Sequence, residues 1–181
     1  MKMDKTRNGI DVMIKIPEYG DSKKIIEFYK QVGKETTYLG FSEGEYQVTE
    51  EQQSAMIKEI NASGNNIMIL AMIDGTIAGI GTISSNNKRI KSKHVGLLGI
   101  VISAEYCNAG LGTIMMDYLI KWCKDNGETA KVSLTVRKDN PRAIALYEKF
   151  GFETEGVLKK ETFIDGEYYD SVVMGLMIKR L

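Results

Sequence analysis

Two Asp–Gly pairs constrain the fold of this chain more than any other feature of its sequence. Asp74–Gly75 separates the apolar runs IMILAMI and IAGIGTIS, and Asp165–Gly166 separates strand-like stretches at about 152–163 and 168–178. A two-residue Asp–Gly connection between such runs indicates a β-hairpin, because both residues tolerate the positive φ angles of its turn. The sequence therefore predicts a sheet that is mostly antiparallel.

The spacing of apolar residues between these hairpins predicts helices that cover the sheet. One helix begins at the N-cap Asp21, a second at the Thr49–Gln52 capping box, a third spans 113–123, and a fourth runs from Asn140–Pro141 to Gly151. Further strands are predicted over 12–16, 94–102 and 132–136. We expect one α+β domain over residues 10–181, with a central mixed, mostly antiparallel sheet flanked by helices and a polar tail over 1–9.

Composition excludes several classes of protein. The 181 residues carry 24 Lys+Arg and 24 Asp+Glu, so the net charge of zero argues against a nucleic-acid or anionic-membrane partner. No apolar run is long enough for a signal peptide or a membrane span. Two cysteines form neither a disulfide framework nor a zinc site on their own, which favours a cytoplasmic protein without a metal. The commonest homo-oligomer is a homodimer, the oligomer to expect if one forms.

The loop after the strand 94–102 is the strongest candidate for a binding site. Its sequence SAEYCNAGLGT places Gly110 and Gly112 where a strand ends and a helix begins. Glycine lets a ligand approach the backbone, and the free N–H groups of the helix's first turn favour an anion such as a diphosphate. The loop is neither a Walker loop, since no Lys-Ser/Thr pair follows, nor a dinucleotide fingerprint, since Met115 replaces the third glycine. The alternative is a tight connection without a ligand.

This loop, together with NPRAIALYEKFGFETEG at 140–156, resembles the GNAT superfamily of N-acetyltransferases, which use acetyl-coenzyme A. The family pattern is Gln/Arg-x-x-Gly-x-Gly/Ala, followed about 30 residues later by Asn, an Ala-x-x-x-Tyr helix and Gly-Phe. The match covers about residues 10–178, but Cys107 stands where the family has Gln or Arg. The resemblance implies that the pantetheine arm of the cofactor pairs with the backbone near Ile100 and Ile102. The implied cofactor-binding residues are Ile100, Val101, Ile102, Cys107, Asn108, Ala109, Gly110, Leu111, Gly112, Thr113, Asn140, Ala143 and Tyr147.

Acyl transfer to an amine requires an acid for the departing thiolate and a base for the amine. Tyr147 is the predicted acid, because a phenol is protonated at neutral pH; packing in the core is the alternative role for its ring. The predicted base is His94, the single histidine, or a carboxylate. Glu43 is the foremost carboxylate candidate, with Glu45 and Glu105 beside it; a solvated side chain is the alternative for each.

Two further features have both a chemical and a structural interpretation. Cys107, near a helix N-terminus, is a candidate nucleophile, although a small filling side chain accounts for it better. A basic run of four residues is either a solvated loop or a contact for an acidic substrate; it comprises Lys88, Arg89, Lys91 and Lys93.

The resemblance implies an N-acetyltransferase that moves acetyl from acetyl-CoA directly to a primary amine in a ternary complex. The acceptor remains open between a small molecule, such as an aminoglycoside-like amine, and a protein N-terminus. A non-catalytic acyl-CoA-binding sensor or subunit is the alternative function.

Overall fold

A computed structural model describes residues 2–178 of the chain. Within this range there are eight strands, β1 (Lys2–Lys5), β2 (Asp11–Lys15), β3 (Ile67–Ile73), β4 (Thr76–Ser85), β5 (Val95–Ile102), β6 (Lys131–Arg137), β7 (Glu153–Ile164) and β8 (Glu167–Met177). The four helices are α1 (Ser22–Glu35), α2 (Glu50–Asn61), α3 (Leu111–Asp125) and α4 (Pro141–Lys149). Residues 179–181 of the predicted domain lie outside the described range.

The strands form one mixed sheet in the order β1-β2-β3-β4-β5-β6-β8-β7. This central mixed sheet confirms the predicted α+β class. Every neighbouring pair is antiparallel except β5 and β6, which run parallel. Both predicted hairpins are confirmed: φ is 48° and 78° at Asp74 and Gly75, and 49° and 87° at Asp165 and Gly166. These positive angles give the turn the twist of its flanking strands.

Helices cover both faces of the sheet, which explains why the run IMILAMI of β3 is apolar at every position. Its odd-numbered residues join the core cluster under α3 and α4, and its even-numbered residues join the cluster under α1 and α2. All seven are buried. A strand buried on both faces has no solvent side on which polar residues could alternate.

The N-terminal segment corrects the prediction of a polar tail over residues 1–9. Residues 2–5 form β1, which pairs antiparallel with β2 at the edge of the sheet. Its sequence, KMDK, lacks an apolar pattern because three of its four residues are exposed on an edge strand, where charged residues also oppose aggregation. Met1 lies outside the described range. Within residues 2–178, none of the helices combines the length and apolar character that a bilayer crossing demands.

Candidate functional site

The parallel strands β5 and β6 separate from each other and leave a cleft in the middle of the sheet. They pair only through 95–97 and 131–133. Beyond this point β5 stays paired with β4 as far as Ile102, and β6 stays paired with β8 as far as Arg137. Residues 98–102 and 134–137 therefore face each other without a shared ladder, although alternate N–H and C=O groups of a strand point to each side. The open end of this cleft lies at the carboxyl ends of β5 and β6.

The glycine loop stands at this open end, between β5 and α3. Asn108 and Gly110 have positive φ, 69° and 88°. Of the seven backbone N–H groups over residues 107–113, four have no hydrogen-bond acceptor among residues 2–178, namely those of Asn108, Gly110, Leu111 and Gly112. Because unpaired N–H groups at a helix N-terminus carry partial positive charge, this stretch has the donor set of an anion-binding nest. The N–H groups of Cys107, Ala109 and Thr113 are already bonded inside the chain.

The two glycines serve different purposes. A Cβ at Gly110 would lie 3.0 Å from Cγ of Arg7, and the left-handed backbone itself disfavours a side chain there. A Cβ at Gly112 would lie 3.0 Å from Cδ2 of Leu146 and 3.3 Å from Cδ1 of Ile102. Gly112 therefore allows α3 to pack closely on α4 and β5. The sequence analysis explains this glycine by the approach of a ligand, and the structure adds helix packing as a second reason.

Tyr147 lies on α4 in the core cluster that also contains Leu134 and Val136 of β6. Leu98 and Ile100 of β5 pack against the same cluster. The residue is only 8% exposed, and burial raises its pKa to about 12. Its hydroxyl has no hydrogen-bond partner in residues 2–178. Gln53 Nε2 is the one fully buried side-chain polar atom there without a partner, so the Tyr147 hydroxyl is not fully buried. The Tyr147 hydroxyl consequently keeps contact with solvent and is free to meet a ligand.

At the start of α4, Asn140 acts as the predicted N-cap, and its Oδ1 accepts a hydrogen bond from Ala143 N at 3.2 Å. The cap orients the first turn of α4 next to the end of β6. The side-chain oxygen and the Ala143 N–H thus satisfy each other, and both residues lie near the open end of the cleft.

The predicted bases are dispersed. His94 is exposed just before β5, about 25 Å of extended strand from Ile102, at the end where β5 and β6 are joined. Glu43 forms an exposed ion pair with Lys34 at 3.1 Å. Glu45 accepts a hydrogen bond from Ser42 N, and Glu105 lies exposed in the turn after β5. The structure does not bring His94 to the open end of the cleft.

Glu35, which sequence reasoning missed, reaches the open end instead. Its Oε2 accepts a hydrogen bond from Ala104 N at 2.8 Å, which joins the last residue of α1 to the turn after β5. The two residues are 69 positions apart in sequence, so no local pattern could indicate the contact.

Arg137, at the end of β6, contacts Thr37 and Tyr38, which follow Glu35 in the α1–α2 connection. Its guanidinium donates to both carboxylate oxygens of Asp139 and to Thr37 O. The guanidinium carbon also lies 4.8 Å from the ring centre of Tyr38 and 4.0 Å from that of Tyr169, favourable distances for cation–π contacts. Residues 35–38 therefore bridge the open end of the cleft, from the turn after β5 to the end of β6.

Substitution of Arg137 by lysine tests this bridge. Lysine retains the charge but loses the two-pronged bond to Asp139 and the flat contact with two rings. We expect a loss of about 2 kcal/mol in the free energy of unfolding, or about 4–8 °C in Tm, by thermal denaturation. Tyr38→Phe, which removes only the bond from Tyr38 Oη to Asp139 O, should lower Tm by less. An unchanged Tm in the lysine variant would contradict the bridging role.

The cysteines and the basic run occupy different surroundings. Cys123 is buried, which raises its pKa to about 11, whereas Cys107 is partly exposed on the loop. Arg142 Nη2 lies 2.9 Å from Cys107 Sγ. The four residues of the basic run lie exposed in the β4–β5 connection, at the joined end of β5 and β6.

Comparison with known proteins gives related sequences and structures. The chain is 36% identical over 106 residues to the L-amino acid N-acetyltransferase AaaT of Escherichia coli, covering 59% of this chain and 65% of AaaT. It is 40% identical over 79 residues to the E. coli spermidine N(1)-acetyltransferase, covering 41% of this chain and 40% of that enzyme. The match thus spans less than two thirds of either relative.

A crystal structure described as an acetyltransferase of the GNAT family from Streptococcus pneumoniae superimposes with a TM-score of 0.90 at 31% identity. The superposition covers 93% of this chain and 99% of the Streptococcus pneumoniae chain. The family model described as Acetyltransferase (GNAT) family matches residues 24–152, which is most of the chain. The sequence resemblance is thereby confirmed, and the chain belongs to the GNAT family of acetyltransferases, whose co-substrate is acetyl-CoA.

Proposed function

We propose that this protein transfers acetyl from acetyl-CoA to a primary amine, by direct attack of the amine in a ternary complex. The observation that carries this proposal is the set of four unpartnered N–H groups at the open end of the cleft between β5 and β6. They fit the diphosphate of coenzyme A, and the open edge of β5 fits an extended pantetheine arm. When bound, acetyl-CoA supplies an activated acetyl thioester.

Binding falls to the backbone of this chain. The N–H groups of Asn108, Gly110, Leu111 and Gly112 would hold the diphosphate. The unpaired edge of β5 at residues 98–102 would bond the amides of the pantetheine arm as an added strand does. β5 is already paired with β4, and the loop has backbone bonds of its own, so binding would need little additional ordering.

Proton transfer falls to two side chains at this cleft. Tyr147 would donate its phenolic proton to the departing thiolate sulfur, because a phenol is protonated at neutral pH and burial further favours the protonated form. Glu35 accepts a proton from the acceptor amine through a water molecule, since its carboxylate already lies at the open end. Glu43 and His94 remain predictions that the experiment on Glu35 also addresses.

The acceptor is a small amine in this proposal. The names of the two curated relatives refer to L-amino acids and to spermidine, which both present a primary amine. Residues 35–57 run from the last residue of α1 into α2, include the bridge, and contain five Glu and no Lys or Arg. A negative segment beside the cleft attracts a protonated amine during encounter.

Glu35→Gln separates proton transfer from structure. The amide oxygen of glutamine can still accept the bond from Ala104 N, so the fold should persist while the base is lost. We expect kcat/KM at pH 7 to fall about 10- to 30-fold, less than the full range for a general base because the acceptor also deprotonates in solution. The deficit should shrink towards pH 10, where the amine is increasingly neutral without help.

Glu43→Gln is the matched control, because Lys34 is the one ion-pair partner of this exposed carboxylate among residues 2–178. Its kcat/KM should stay within about twofold of the wild type. A slow Glu43 variant beside a normal Glu35 variant would instead assign the base to Glu43.

The function itself is tested with a panel of amines. Purified protein is mixed with acetyl-CoA and L-amino acids, spermidine, an aminoglycoside or a peptide with a free N-terminus, and released thiol is measured. We expect steady turnover with at least one small amine, and acetylated product by mass spectrometry. Tight binding of acetyl-CoA without turnover of any amine would favour the non-catalytic sensor.

A further inference from the structure

The glycine loop carries no basic side chain of its own. Residues 106–116 contain neither Lys nor Arg, and Cys107 occupies the place where the family has Gln or Arg. The four free N–H groups supply partial charges only. Coenzyme A brings a diphosphate and a ribose 3′-phosphate, so the loop lacks a full positive charge to set against them.

Arg142 brings a guanidinium to this loop from the first turn of α4. Its Nη2 lies 2.9 Å from Cys107 Sγ, and its Nη1 lies 3.4 Å from Asn108 Oδ1. Neither partner is a carboxylate, and no carboxylate in residues 2–178 forms an ion pair with Arg142. The cation therefore stands beside the loop without a counter-charge.

The position of Arg142 is also unfavourable for α4 itself. A positive charge in the first turn of a helix opposes the helix dipole, and here the N-terminus of α3 adds a second positive end nearby. The guanidinium of Arg142 lies against the Asn108 side chain, and the N-termini of α3 and α4 both belong to this end of the cleft, so all three contribute positive potential there. An anion at this place would be attracted by the guanidinium and by both helix N-termini. The planar guanidinium also suits phosphate oxygens.

We propose that Arg142 binds a phosphate group of coenzyme A and so supplies the charged contact that Cys107 does not. This inference rests on the proposed binding of acetyl-CoA. Cys107 is small enough to leave room for the guanidinium, which lies against its sulfur. In this chain the charged contact would come from the neighbouring helix, 35 residues after Cys107 in sequence.

The test measures direct binding by calorimetry, independently of turnover. Coenzyme A, dephospho-coenzyme A, which lacks the 3′-phosphate, and pantetheine, which lacks all phosphates, are titrated into the wild type and Arg142→Gln. We expect Kd for coenzyme A to rise about 10-fold in the variant and its salt dependence to weaken, while Kd for pantetheine is unchanged. An equal loss with dephospho-coenzyme A assigns the contact to the diphosphate; a loss confined to coenzyme A assigns it to the 3′-phosphate.

Two further variants complete the design. Arg89→Gln removes the same charge at the opposite end of β5 and should leave Kd unchanged. The double variant Arg142→Gln/Cys107→Arg, which restores a guanidinium from the loop, should recover most of the lost affinity. A Kd for Arg142→Gln within twofold of the wild type would overturn the role of Arg142 alone, whereas a wild type that binds no coenzyme A would overturn the proposed function.

Discussion

Gly110→Val is expected to raise the Kd for acetyl-CoA about 100-fold or more while the protein stays folded. Gly110 has φ = 88°, a conformation that a β-branched residue adopts only with strain, so the loop must rotate to relieve it. Rotation turns away the N–H groups of residues 108 and 110–112, each of which would otherwise bond a phosphate oxygen. The loss of only two of these four charge-assisted bonds, at about 1.5 kcal/mol each, already gives a factor of about 100, so the expected rise is a lower bound.

Calorimetric titration measures this Kd, and Gly127→Val provides a matched control at the other end of α3. Gly127 also has positive φ, 75°, and a Cβ there would meet no atom within 4 Å. Both variants therefore impose similar backbone strain, but only Gly110 belongs to the proposed binding loop. An equal loss of affinity in both variants would indicate general destabilisation of α3, and unchanged affinity in Gly110→Val would remove the loop from the cofactor site.

The elements that the sequence predicted well are those governed by neighbouring residues. The Thr49–Gln52 capping box and the Asn140 cap both form as expected, because each depends on a side chain that reaches a backbone group three residues away. The sequence predicts the third helix over 113–123, and the helix spans Leu111–Asp125, a small difference that fraying and capping normally produce.

The features that sequence reasoning missed depend on contacts between distant segments. Glu35 meets Ala104 across 69 residues, and Arg137 meets Thr37 across 100. Local periodicity predicts which face of an element is buried but not which loop lies opposite its end. The register that separates β5 from β6 after three paired positions is likewise a property of the assembled sheet.

Arg142 is an intermediate case, since it lies inside the motif that the resemblance quotes, two residues after Asn140. Its partner Cys107 is the departure from the family pattern, and only the structure places the two side chains together. The sequence therefore shows that the usual charged residue is absent at position 107, but not that Arg142 lies beside that position.

The alkaline behaviour of Tyr147 follows from the direction of its pKa shift. Burial raises the folded-state pKa from 10.0 to about 12, so the protonated phenol is favoured by the fold. The corresponding stability is fully present below pH 10 and is lost as the pH rises through about 12. Tyr147 should thus remain a proton donor across the range in which acceptor amines lose their own protons.

Tyr147→Phe is expected to lower kcat by about 100-fold or more at saturating acetyl-CoA, in the range for a lost general acid. Phenylalanine keeps the ring and its packing against Phe152, so Tm and the Kd for acetyl-CoA should stay close to the wild type. Tyr118→Phe, on α3 and packed against the same core cluster, is the control and should retain full kcat. Wild-type turnover by Tyr147→Phe would make Tyr147 a core residue only. A fall in Tm that accompanies the fall in kcat would assign the hydroxyl to structure and remove the proposed acid, because a proton donor to the leaving thiolate acts only in the transition state.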